Sequence, residues 1–113
     1  MPYMNAKNDN YVGLAVPKEY HDIWKLYKYP DRIILKKILK NFVLLDLVHY
    51  DSDKSYYGRY WFYKKIWPYI KKKGVLISDD VKDNYAFIDF AKFVGKKYYL
   101  IKNHNKYSGL IIK

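Results

Sequence analysis

An α/β sheet is the fold class this sequence predicts, and three observations predict it. Two short apolar runs bounded by charge, "LDLVHY" and "GVLIS", read as buried parallel strands. Stretches of helical spacing stand before, between and after them. The C-terminal "KKYYLIKNHNKYSGLIIK" holds two strand-like runs joined by the turn-rich "NHNKYSG", which predicts an antiparallel hairpin at one side of the sheet. No internal repeat or low-complexity linker interrupts the alternation.

In chain order, residues 1–29 are a leader to which no single structure is assigned. "PKEYHDIWKLYKY", Pro17 to Tyr29, fits a helix through Tyr20, Ile23, Trp24 and Tyr27, and "IWKLYKY" fits an edge strand equally well. "PDRIILKKILKN" is clearer. Ile34, Leu35, Ile38 and Leu39 recur at helical spacing, Asp31 sits near the positive N-terminal end, and lysines cover the other face. After "LDLVHY", "SYYGRYWFYKKIW" reads as an aromatic helix ended or interrupted by Pro68. "GVLIS" is a strand introduced by Gly74. "DNYAFIDFAKFVG" sets Phe87, Phe90, Ala91 and Val94 on one helical face, with Asp83 or Asn84 as cap and Gly95 as stop.

Composition narrows the function classes. The 113 residues make one domain or part of one. Half are hydrophobic and 20% aromatic, which excludes disorder for most of the chain. The absence of cysteine excludes disulfides and thiolate-held zinc. The N-terminus has no apolar signal core and no apolar run approaches membrane-spanning length, so a soluble cytoplasmic protein is expected. The net charge of +11 invites a nucleic-acid reading. Against it stand only two arginines, Arg32 and Arg59, in a chain rich in Lys, Asn, Ile and Tyr. The lysine run 71–73 reads as a solvated helix end.

Acidic residues are scarce and clustered. Of eleven, six lie in two groups: Asp46, Asp51 and Asp53 around the first strand, and Asp79, Asp80 and Asp83 after the second. Parallel strands of an open sheet end on one side, and ligands bind beyond those ends. If the two strands are neighbours, Asp51, Asp79 and Asp80 converge, and their mutual repulsion is relieved by a hard divalent cation such as Mg²⁺. Helix capping is the competing use of these residues, with Asp53 serving a helix that begins near Ser55.

"LDLVHYDSDKSYYG" followed by "GVLISDD" resembles the fourth and fifth strands of class I S-adenosylmethionine-dependent methyltransferases. It is most similar to the metal-dependent macrocin O-methyltransferase branch, whose pattern is "IDGDHSY" and a later "GGVLIGDD". The resemblance covers residues 43–113, with "KKYYLIK" and "SGLIIK" as sixth and seventh strands. It implies the C-terminal half of a Rossmann-like sheet, with Asp51, Asp79 and Asp80 holding the metal. The family's general base stands three residues after the metal aspartate, a histidine in the macrocin-type branch. This chain has Lys54 there, as catechol-type relatives have lysine. Such enzymes ionise an acceptor hydroxyl as it attacks the methyl sulfonium.

The resemblance also implies a G-x-G turn for the cofactor, and the five glycines (Gly13, Gly58, Gly74, Gly95, Gly109) provide none. Residues 30–113 therefore read as a partial methyltransferase domain, from a split gene or a gene fragment. The expected activity is O-methylation of a sugar or natural-product hydroxyl, completed by an N-terminal half or a homodimer. The alternative is a non-catalytic basic binding module that retains the scaffold. The three histidines (His21, His49, His104) share no metal-ligand spacing, and His49 reads as a packed polar residue. The aromatic set Tyr56, Tyr57, Tyr60, Trp61, Tyr63 and Trp67 reads as core and interface.

Overall fold

The computed structural model describes residues 11–41 and 44–113. The chain divides into two compact units, one ending at Ile38 and the other running from Leu39 to Lys113. In the first, the stretch that fitted both helix and strand adopts neither. Its only regular element is a 3-10 turn at Lys18–Tyr20. His21 Nε2 lies 3.1 Å from the Val16 carbonyl oxygen, and its ring packs 5.6 Å from that of Trp24. Tyr20, Ile23 and Tyr27 are exposed. An amphipathic stripe left unburied lacks the packing that supplies most helical stability, so spacing alone did not make a helix here. Helix α1 (Asp31–Leu39) forms where the pattern predicts it, and Asp31 Oδ1 accepts from the Arg32 amide at 2.7 Å.

The second unit is built on a four-stranded mixed sheet. Strand β1 (Leu45–Tyr50) is the predicted "LDLVHY". It pairs in parallel with β2 (Ile70–Ser78), which pairs antiparallel with β4 (Lys106–Ile112). The last neighbour, β3 (Tyr98–Asn103), pairs antiparallel with β4, giving the order β1-β2-β4-β3. The hairpin turn is tighter than its composition suggested, because β3 and β4 run to within two residues of each other, at His104 and Asn105.

Strand β2 corrects the sequence reading in one respect. It begins at Ile70, four residues before Gly74, and the lysine run lies inside it rather than at a helix end. The register explains how. Leu45 pairs with Ile70 and Leu47 with Val75, so β2 carries a bulge between these pairs, with Lys73 at φ 67°. All three lysines stay exposed, and Lys71 reaches Asp46 at 2.7 Å. Gly74 fits the bend because a side-chain carbon there would press on Ile70 and on the Asp46 carbonyl.

Helices α2 (Tyr56–Ile66) and α3 (Ala86–Phe93) pack together on one face of the sheet. Beneath them the Tyr50 and Phe62 rings meet at a tilt, 4.3 Å between centroids, and the Tyr63 and Ser78 hydroxyls share a hydrogen bond of 2.6 Å. Phe87 and Phe90 close the core against Gly109, Tyr63 and Trp67. Helix α2 ends at Ile66, and Pro68 sits in a following 3-10 turn. Gly95, at φ 64°, stops α3 as predicted. No helix among the described residues is long and apolar enough to cross a membrane.

Candidate functional site

The two parallel strands end side by side, and the Asp79 amide extends their pairing by donating to the Tyr50 carbonyl at 3.0 Å. The loop after β1 is held from below. Buried Tyr50 donates its hydroxyl to the Asp53 carbonyl at 3.0 Å, and Asp53 Oδ1 accepts from the Ser55 amide at 2.8 Å. Ser55 Oγ in turn accepts from the Gly58 amide at 3.0 Å, capping α2. The cap is therefore Ser55 and not Asp53, which instead holds the amide of the capping residue. Between Asp51 and this cap stands Lys54, its direction set by loops on both sides. Asn84 Nδ2 donates to the Lys54 carbonyl at 2.8 Å, and Asn84 Oδ1 accepts from the Ala86 amide at the start of α3.

Lys54 Nζ lies 2.6 Å from Asp51 Oδ1 and 2.7 Å from Asp80 Oδ2, so one ammonium bridges the ends of β1 and β2. The Lys54 hydrogen bond holds both carboxyls below their ordinary 3.8, against the opposing push of burial. For Lys54 itself burial acts downward, but the hydrogen bonds to Asp51 and Asp80 outweigh it and raise the amine above 10.5. At neutral pH this is a charged bridge.

Neighbouring Asp79 turns elsewhere. Its Oδ1 accepts from Ser108 Oγ at 2.6 Å, and its Oδ2 lies 3.3 Å from His49 Nε2. The predicted trio thus divides: Asp51 and Asp80 converge on one cation position, and Asp79 belongs to the opposite face with Ser108 and His49. His49 is not the packed residue expected; its side chain is about half exposed. Among the described residues no group of three or more His, Cys, Asp or Glu is placed to hold a metal ion.

Sequence reasoning missed the residue that makes this division. Arg59, on α2, is 1% exposed. Its Nη1 donates to the carbonyls of Asp80 at 2.9 Å and Asp79 at 3.3 Å, and its Nη2 lies 3.3 Å from Asp83 Oδ2. The guanidinium fastens the backbone while Asp80 takes the left-handed conformation, φ 51° and ψ 38°. That reversal sends the Asp79 and Asp80 side chains apart. The available signal was an arginine amid lysines, one turn after the cap, where a planar fork of donors is needed. Arg59 Nε is buried without a partner.

Two clefts stand out among the described residues of this unit. One, of about 460 Å³, begins directly beyond Asp80 between the start of α3 and the β3–β4 hairpin. The other, of about 390 Å³, lies at the opposite end of α3 around Gly95 and Lys97. Only the first adjoins the charged bridge, through Asn84. Compared with known proteins, the chain matches no family model and no curated protein.

Proposed function

We propose that residues 30–113 are the C-terminal half of a metal-dependent, S-adenosylmethionine-dependent O-methyltransferase acting on a sugar or natural-product hydroxyl. The observation that carries the reading is the joint ending of β1 and β2, where Asp51 and Asp80 share one cation position with Lys54 between them. The parallel pair followed by an antiparallel hairpin agrees with the arrangement the resemblance implies. Asp51 and Asp80 fit a divalent cation, being two carboxylates that already share a cation; Asp79, bound to Ser108, is the weaker member of the set. Mg²⁺ held there would lower the pKa of an acceptor hydroxyl. Lys54 is the proposed base. At rest its ammonium is charged, so it takes the acceptor proton at Nζ only after releasing its own to solvent.

The residues present do not fit the methyl donor. None of the five glycines makes a G-x-G turn, and no step through that cofactor is assigned to this chain. The reading gives that pocket to a complementing N-terminal half or a second copy, in the cytoplasm. Two features support it: among the described residues β1 pairs on one side only, and the sheet face away from α2 and α3 exposes Leu47, Tyr99, Ile101 and Ile112. A non-catalytic basic module on the same scaffold is the second reading. The ammonium that already bridges Asp51 and Asp80 favours it.

Titration of the whole chain with Mn²⁺, followed by paramagnetic broadening of amide signals, separates the two. The enzyme reading expects broadening centred on Asp51 and Asp80, and tighter binding in Lys54→Met, where the competing ammonium is gone. Uniform broadening in both proteins leaves only the module. Calorimetry should show no micromolar binding of S-adenosylmethionine to the chain alone; such binding would overturn the half-domain reading.

A further inference from the structure

The cleft beyond Asp80 is lined by Val81, Lys82, Asp83, Asn84, Tyr85 and Ile88 on one side, and by Leu100 and Tyr107 from the hairpin on the other. At about 460 Å³ it has the size of a small-molecule site and ample room for one substituted ring. What it can recognise follows from which of its groups are already engaged. Asn84 has spent one amide donor on the Lys54 carbonyl and its oxygen on the Ala86 amide. Asp83 is paired with the buried Arg59, which offsets its charge. The side chains of Asn84 and Asp83, which would read the hydroxyls of a sugar, are therefore largely committed to the protein itself.

Two kinds of surface remain. One is apolar and flat: the rings of Tyr85 and Tyr107 with the side chains of Ile88 and Leu100. Tyr85 is 73% exposed and Leu100 is also exposed, so both offer contact area that the fold has left unused. The other is the ammonium of Lys82, exposed, with no hydrogen bond or ion pair to it among the described residues. A flat apolar body matches the first, and a single anionic group matches the second.

We propose that this cleft binds a hydroxylated aromatic carboxylate, a single ring whose faces lie among Tyr85, Tyr107 and Leu100 and whose carboxylate pairs with Lys82. As a choice of acceptor it rests on the O-methyltransferase reading, since the lining begins at Val81, next to Asp80 in the chain, and includes Asn84, whose amide donates to the Lys54 carbonyl. The binding itself requires neither metal nor methyl donor. A net charge of +11 favours an anionic ligand over a neutral one of the same shape.

The test uses the full chain without metal or S-adenosylmethionine, with 4-hydroxybenzoate as probe and saturation-transfer NMR and titration as readouts. Binding is expected at millimolar or better, strongest for the ring protons, with 4-hydroxybenzyl alcohol weaker and methyl glucoside giving no saturation. Tyr85→Ala should weaken 4-hydroxybenzoate about fivefold. Lys82→Gln should weaken it about threefold, remove its salt dependence and leave the alcohol unchanged. Both side chains are exposed, so the variants keep the fold. No binding at 10-millimolar probe (~10 mM, far weaker than such a cleft should give), or equal binding to Tyr85→Ala, overturns the site. Loss of discrimination between acid and alcohol in the parent overturns the carboxylate assignment. Either result leaves the Mn²⁺ experiment standing, and failure of that experiment leaves this cleft standing.

Discussion

The two faces of one sheet differ more than any two elements of this molecule. Along β2, Leu76 points under α2 and α3 and is 0% exposed, whereas on neighbouring β1, Leu47 points the other way and is 58% exposed. Both faces draw on the same strands, and both carry large apolar side chains. Strands patterned this way are made for burial on two sides, as in sheets covered by helices above and below. Within Leu39–Lys113 only one side is covered. Strand patterning alone therefore does not tell which face of a sheet its own unit will cover.

The comparison can be broken most directly at Leu76. Leu76→Ala should cost about 2–5 kcal/mol of unfolding free energy, through lost burial and a cavity beneath the helices. Urea denaturation measures it, and a loss below about 1 kcal/mol would mean the helix face is loosely packed. Arg59→Met comes next. It removes charged hydrogen bonds to two carbonyls and to Asp83, with an expected loss of about 1.5–3 kcal/mol. The same variant should disturb the amide signals of Asp79 and Asp80 more than those of β3. Leu47→Ala, on the open face, should stay within about 0.5 kcal/mol of the parent. A loss as large as that of Leu76→Ala would show the open face to be covered in solution.

The smallest effect is that of pH on the bridge at the strand ends. Asp51 and Asp80 titrate below 3.8 in the folded chain, so their contribution is present above 3.8 and is lost as pH falls through the folded values. Lys54 titrates above 10.5 when folded. Its contribution is full below 10.5 and is lost as pH rises through the folded value. Between these limits the bridge should add a flat, modest increment, because Asp51 and Lys54 are both about half exposed. Lys54→Met should remove the increment and leave the melting temperature less sensitive to pH at the alkaline end. A parent whose stability bends near neutrality would point to some other group.

Legibility in the sequence followed burial. "LDLVHY" could be read with its true ends because it is a short apolar run stopped by charge, with Val48 and Tyr50 buried in its second half. Helix α3 was readable for the same reason, its apolar face being almost fully buried. Residues 17–29 carry a comparable stripe yet form only one 3-10 turn, since a stripe predicts a helix only where something covers it. The start of β2 was hidden by a bulge, which lets lysines sit in a strand. At the site, adjacency in "SDD" suggested that Asp79 and Asp80 act together. The left-handed turn at Asp80 separates them, and that turn is held by Arg59 from twenty-one residues away in sequence. Apolar periodicity carries no trace of such a tie; the residue type, an arginine amid lysines, was its one signal.

Strand β3 has a consequence for solubility. Tyr98, Tyr99, Leu100 and Ile101 are four consecutive exposed apolar residues on an edge strand that pairs on one side only. Such a segment is a template for edge-to-edge association between copies. Lys96, Lys97 and Lys102 flank it, and their like charges oppose the stacking of identical strands. These flanking lysines should therefore oppose association between copies of the edge. Screening them with salt, or neutralising them by acetylation, should turn this edge into the seed of a fibre.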